Sequence, residues 1–225
     1  MEKIIGHTFK KPDLLRQALT HRSFINENKN FASSHNERLE FLGDAVLELA
    51  VTEFLYGKFP DVTEGDLTAY RASLVNTNTL SSASDRLGLN DHILLSKGES
   101  KDTGRARQYI LANVFEAMVG AIYLDSGYDA AKDFISRVLF GLIDEIVEKR
   151  LWQDAKSYFQ ELAQDKVSIT PMYETIREEG PDHSKTFTVG VYLGGELVAE
   201  GKGASKQEAE QNAAAEGLKV KGWEK

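Results

Sequence analysis

The hydrophobic period of the chain changes near residues 149–154, and the change separates two kinds of structure. Before it, apolar residues recur at three- and four-residue spacings, as on the buried stripe of a helix. Pro12 stands where a first helical turn begins, with Leu14, Leu15, Ala18 and Leu19 as its apolar stripe. A long helix is predicted over 36–56, capped by Asn36 and burying Leu39, Leu42, Val46 and Leu49. Thr63-Glu64-Gly65-Asp66 reads as a capping box that opens a helix through Leu67, Arg71, Leu74 and Val75, and Gly88 ends the segment after it. Residues 98–105 are polar and turn-rich. A strong helix follows through Ile110, Leu111, Val114, Met118, Val119, Ile122 and Tyr123. An amphipathic stretch over 130–149 then turns Phe134, Val138, Leu142, Ile143 and Ile146 inward. No strand pattern of comparable quality precedes residue 150, so a mainly α domain is expected over 1–149, with a linker at 150–154.

Beyond the linker the pattern predicts a helix near 156–164, strands at 173–179, 186–193 and 196–202, and a closing helix over 206–218 capped by Ser205. Gly194-Gly195 between two strand runs is a hairpin signal. The expected second domain, 155–225, is a small α+β unit of α-β-β-β-α order.

The chain has no cysteine, which excludes disulfides, zinc-thiolate sites and thiol catalysis. No apolar run approaches membrane-spanning length and the first residues lack the pattern of a secretory signal, so a cytoplasmic protein without membrane partners is the default expectation. The net charge of −8 runs against simple binding of a polyanion. Nucleic-acid chemistry in such a chain must use local basic clusters, or cations that bridge carboxylates to phosphate.

Carboxylates do gather in one place. Glu37, Glu40 and Asp44 are spaced i, i+3, i+7 and share a stripe of the predicted helix, apart from its apolar face. Like charges at this spacing repel, and a divalent cation with its preference for oxygen ligands turns that repulsion into binding. A lone acidic stripe is more often a solvated helix face. Two details favour more than that: Gly43 inside the helix signals a close approach to its backbone by another body, and Phe41 lies off the apolar stripe.

Asn36-Glu37-Arg38-Leu39-Glu40-Phe41-Leu42-Gly43-Asp44 resembles the signature segment of the ribonuclease III family. Thr20-His21-Arg22-Ser23, Glu64-Gly65-Asp66-Leu67 with Arg71-Ala72-Ser73-Leu74-Val75, and Ile110 to Ala117 with Gly120 to Asp125 resemble other segments of the same family. The resemblance implies a metal-dependent endoribonuclease that cuts double-stranded RNA, leaves 5′-phosphate and 3′-hydroxyl ends, and serves rRNA and mRNA processing and decay. It implies Mg²⁺ as cofactor, with Mn²⁺ as a substitute and no organic cofactor. By the same resemblance Glu40, Asp44, Asn113 and Glu116 are metal ligands, and Asp44 and Glu116 are the residues tied most closely to catalysis. Glu37 and Glu64 are accessory acids, although a carboxylate at a helix start such as Glu64 is stabilised by the dipole in any case. Asn113 stands where most members carry Asp; it reads either as tolerated variation or as weakened metal binding.

The tail, from Gly180-Pro181-Asp182-His183-Ser184-Lys185 through Gly201-Lys202-Gly203-Ala204-Ser205-Lys206, resembles the double-stranded-RNA-binding domain. The implied RNA contacts are Gln160 and Glu161, Pro181, His183 and Ser184, and Lys206, Gln207 and Gln211. Such domains read the shape of the minor groove and its phosphates rather than sequence. Acids outnumber bases in this half of the chain, so modest and salt-sensitive affinity is expected. The family resemblance further implies a homodimer whose two centres face opposite strands. Phe41 then reads as an interface residue, with burial in the core as the alternative. The competing functional readings are a double-stranded-RNA binder that does not cleave and a ribosome-associated structural protein.

Overall fold

The computed structural model describes residues 1–150, 152–181 and 185–223. The chain divides into two compact units, Met1–Trp152 and Gln153–Lys225. The first unit is helical: α1 (Glu2–Ile5), α2 (Pro12–Ala18), α3 (Arg22–Glu27), α4 (Glu37–Lys58), α5 (Glu64–Val75), α6 (Thr77–Arg86), α7 (Arg105–Ser126), α8 (Tyr128–Leu139) and α9 (Ile143–Glu148). Short 3₁₀ turns lie at Leu89–His92, Glu99–Lys101 and Phe140–Leu142, the last breaking the amphipathic stretch that reads as continuous in sequence.

The centre of this unit is α7. Val114, Phe115, Ala117, Met118, Val119, Ala121 and Ile122 are fully buried, so the helix is apolar nearly all round and has neighbours on most sides. Its most extensive partner is α4. The two cross at Gly43 and Gly120: a methyl group on Gly43 would collide with the Glu116 carbonyl oxygen, and one on Gly120 with the Leu39 carbonyl oxygen. Both obstacles are backbone atoms, so an alanine at either position forces the helices apart. The close approach that Gly43 signals in sequence is therefore with α7.

Local signals mostly hold, with two departures. Thr63 caps α5 by accepting from Asp66 N–H at 3.2 Å. Asn36 precedes α4 but its backbone is already helical, at φ −83° and ψ −11°, and its side chain caps nothing. The amide instead donates to the Ala18 carbonyl at 3.3 Å from a buried position, fastening the start of α4 to the end of α2. Leu49, expected in the core, is 57% exposed. At about 100° per residue the buried face of α4 centres on Gly43, Val46, Leu47 and Ala50, and Leu49 falls well to one side of it.

The N-terminus is tied to the end of α7 by Asp125, whose buried carboxylate accepts from Lys11 N–H (2.8 Å), Lys10 N–H (3.2 Å) and Ser126 Oγ (2.8 Å) and lies 3.1 Å from His7 Nε2. Burial alone would raise its pKa, but these partners overcome it and hold the carboxyl at about 2. Among the described residues no helix is long and apolar enough to cross a membrane.

The second unit comprises α10 (Ala155–Val167), β1 (Met172–Glu179), β2 (Thr186–Leu193), β3 (Glu196–Gly203) and α11 (Lys206–Val220). The strands form an antiparallel sheet in the order β1-β2-β3. Gly194 and Gly195 turn the β2–β3 hairpin with φ of 59° and 89°, the left-handed values that a tight hairpin requires. Val191, Leu193 and Val198 pack with Phe159, Ala163, Ala213, Ala214 and Leu218 of the two helices, which buries one face of the sheet. Ser205 caps α11 by accepting from Glu208 N–H at 3.2 Å.

Candidate active site

The contact between Gly43 and Gly120 has a chemical consequence. It places Glu116, on α7, beside Glu40 and Asp44, which flank Gly43 on α4. Glu116 is half-buried, and its carboxyl is pushed up to about 7, first by burial and then by the charges of Asp44, Glu40 and Glu48. Glu40 is also raised, by burial and by the charges of Glu37 and Asp44. Acids from two helices thus lie within each other's fields at one half-buried spot, with Asp44 exposed beside it.

Glu48 was not among the residues singled out from sequence, yet it feels this cluster while its own carboxylate pairs with Arg71 Nε at 2.8 Å. The signal was present: Glu48 extends the acidic stripe one further turn, at i+4 from Asp44. Asn113 lies one turn before Glu116 on α7, also half-buried, so its amide shares the stripe that carries Glu116. Glu37, at the exposed start of α4, lies 3.6 Å from Arg22 Nη1 and 3.7 Å from His35 Nδ1. Glu64 is not among the charges acting on Glu116. It accepts from Thr68 Oγ1 at 3.2 Å at the start of α5, beside a cavity of about 250 Å³ shared with Tyr56 and Arg71.

Among the described residues no three Asp, Glu or His side chains close into a ready-made ion cage. The donor set nonetheless suits a hard cation: carboxylate oxygens and one amide oxygen, mutually repelling and partly desolvated. An open arrangement also suits an ion such as Mg²⁺, which keeps several waters and takes few protein ligands.

Phe41 is 83% exposed, which removes the core alternative for this residue. It borders a cavity of about 620 Å³ with Leu39, Leu42, Leu124, Gln17, Glu37 and Arg38.

In the second unit Gln160, Pro181, Lys206 and Gln207 are exposed. Lys206 pairs with Glu178 at 2.9 Å and its ammonium lies 5.6 Å from the centre of the Phe187 ring. Glu161 accepts from Gln153 Nε2 at 2.8 Å. Gln211 is engaged at both ends of its amide, accepting from Lys156 N–H at 3.1 Å and donating to Asp154 Oδ1 at 2.8 Å, so it joins α11 to the start of α10. His183 and Ser184 lie outside the described residues.

Comparison with known proteins agrees with this architecture. Residues 11–143 match the Ribonuclease-III-like family and residues 155–221 the double-stranded RNA binding motif. Ribonuclease 3 of Bdellovibrio bacteriovorus is 46% identical over 98% of this chain and 94% of its own length. Ribonuclease 3 of Enterococcus faecalis is 46% identical over 95% of this chain and 93% of its own. A crystallised ribonuclease III nuclease domain from Campylobacter jejuni, described for flexibility in a region involved in its dimer formation, is 43% identical and covers 61% of this chain and 92% of its own, with a TM-score of 0.56. With relatives 46% identical over nearly the whole chain and a family model that matches residues 11–143, the chain belongs to the ribonuclease III family.

Proposed function

We propose that this protein hydrolyses phosphodiester bonds within double-stranded RNA as a divalent-metal-dependent endoribonuclease, leaving 5′-phosphate and 3′-hydroxyl ends. The observation that carries the reading is the helix crossing that sets Glu116 into the field of Asp44 and Glu40. Carboxylates this close, one of them with its pKa pushed up to about 7, are unfavourable unless a cation or a reaction uses them.

Glu40, Asp44 and Glu116 would hold the ion, Mg²⁺ or Mn²⁺, with the Asn113 amide oxygen as a weaker neutral ligand. A cation bound there lowers the charge that develops on the attacking water and on the departing 3′ oxygen. The residues themselves supply the rest. Half-buried Glu116 forms the more desolvated side of the site, and exposed Asp44 leaves the other side open to a phosphate. The tail domain adds grip on the duplex through its groove shape, with Lys206, Gln207, Gln160 and Pro181 as exposed candidates. Structured rRNA and mRNA in the cytoplasm are the substrates that this chemistry fits.

The direct test is incubation of the protein with long duplex RNA and Mg²⁺, with and without chelator, beside Asp44→Asn. Cleavage to 5′-phosphate ends that chelator abolishes and Asp44→Asn loses is the expected result. A mobility shift without cleavage, unchanged in Mn²⁺, would establish the non-cleaving binder instead.

Asn113 gives a quantitative prediction. Restoring a carboxylate with Asn113→Asp adds a charged ligand one turn from Glu116, and the Mg²⁺ concentration for half-maximal cleavage is expected to fall about tenfold. No change in a magnesium titration would show that position 113 lies outside the coordination sphere.

A further inference from the structure

At the exposed start of α4, Arg22 and His35 flank Glu37. Their nitrogens lie 3.6 and 3.7 Å from its two oxygens, beyond good hydrogen-bond length, so one carboxylate spans two partners and satisfies neither. His35 Nδ1 is sequestered from solvent and makes no hydrogen bond among the described residues. Arg22 keeps 66% of its side-chain surface exposed and has no other ion pair among the described residues. No side chain caps α4: the Asn36 backbone is already helical and its amide N–H donates to the Ala18 carbonyl, so the positive end of this helix, which begins at Glu37, has no side-chain acceptor. His21 lies in the field of Glu37 and His35, and Glu99 and Arg107 act on His21 in turn. Glu37 also acts on Glu40, which makes the cluster a direct neighbour of the catalytic acids.

We infer that Arg22, His35 and the open start of α4 form a binding site for a backbone phosphate of the RNA duplex, and that Glu37 fills this site in the free protein as an internal stand-in for the phosphate. Guanidinium and imidazole nitrogens on either side of a single anion suit a phosphate, whose oxygens reach both donors while a third faces the helix N-terminus. Glu37, tethered by its own helix, stretches to both without closing on either. Displacing it on RNA binding would also move one negative charge away from Glu40 as the substrate arrives.

The inference rests on the double-stranded-RNA reading above, and the test separates the two. Duplex binding is measured across a salt series in a Glu116→Gln parent, with the RNA checked to be intact, for Arg22→Gln, Glu37→Gln and the double variant. Glu37→Gln is expected to bind several-fold tighter than the parent, because the competing anion is gone. Arg22→Gln is expected to weaken binding roughly five- to tenfold and to lower the salt slope by about one, in the presence of Glu37 and in its absence. If Arg22→Gln has no effect once Glu37 is Gln, the pair is a surface salt bridge and the phosphate site is wrong. If the parent binds no duplex, the functional reading itself fails. Circular dichroism of each variant confirms that the helices are retained.

Discussion

Glu116→Gln is expected to lower duplex cleavage by more than ~100-fold while raising the melting temperature of the metal-free protein at pH 8. The loss of activity follows from the proposed role of Glu116 as a charged ligand, given that even the outer partners of metal ligands are worth roughly 10- to 100-fold. The gain in stability follows from the carboxyl's position. Its pKa is pushed up to about 7 from an ordinary 4.5 by burial and by Asp44, Glu40 and Glu48. A group whose folded pKa is raised favours the fold fully below about pH 4.5 and loses that contribution as pH rises through about 7. At pH 8 it is ionised in both states, and the native state carries the whole repulsion. Partial exposure and screening reduce the penalty to roughly 1–2 kcal/mol, so the neutral amide should melt roughly 2–6 °C higher at pH 8 and no higher at pH 4.

The same carboxyl couples metal to protons. An ion entering near pH 6.5 must displace a proton from Glu116, so apparent Mg²⁺ affinity is expected to rise with pH until Glu116 is ionised, above about 7. Mg²⁺ should correspondingly raise the melting temperature of the wild type at pH 8, and Glu116→Gln should respond little. Differential scanning fluorimetry at pH 4 and pH 8, with Mg²⁺ or chelator, reads every part of this. A variant that melts no higher than wild type at pH 8, or that still cuts, would mean that Glu116 lies outside the acidic field that the helix crossing creates.

The legible parts of this molecule were those carried by one element at a time. The β2 limits, the hairpin glycines 194 and 195, the Ser205 cap and the apolar stripe of α7 each depend on local chemistry, and each lies where the pattern puts it. Gly43 went further: a helix-breaking residue inside an acidic stripe pointed to another body close to the helix backbone, and the structure identifies that body as the backbone at Glu116–Gly120. What stayed hidden depends on which way a helix is rotated in its packing. Leu49 matched an apolar stripe, but the contact with α7 turned α4 so that Leu49 faces out. Asn36 has the composition of a cap but is used by Ala18, and Gln211, an expected RNA contact, is bonded in the free protein to Asp154 and Lys156. Side chains with two amide ends find whichever partner folding brings, and spacing alone does not name it.

Leu49 turned outward bears on assembly. Phe41, Leu49 and Tyr56 are 83, 57 and 77% exposed, and all three fall on the side of α4 away from α7. Leu124 adds an exposed edge to the cavity of about 620 Å³ beside Phe41. Phe41, with Leu39, Leu42 and Leu124 about the adjoining hollow, makes this end of the face the candidate for a cover. We propose a second copy of this chain as that cover, with each Phe41 entering, under a twofold axis, the hollow beside the other, lined by Leu39, Leu42 and Leu124 with Gln17, Glu37 and Arg38. Burying one phenylalanine contributes roughly 1.5–3 kcal/mol, and symmetry counts it twice, so Phe41→Ala should weaken the dimer by ~100-fold or more. Phe41→Asp, which sets two carboxylates against each other, should leave only monomer at micromolar concentration. Sedimentation equilibrium reads both, and helix content should not change because Phe41 supports nothing in its own core. Cleavage of both strands should fall with the dimer, since one centre reaches one strand. A Phe41→Asp protein that remains dimeric would place the interface on another face and leave the α4 stripe without a partner.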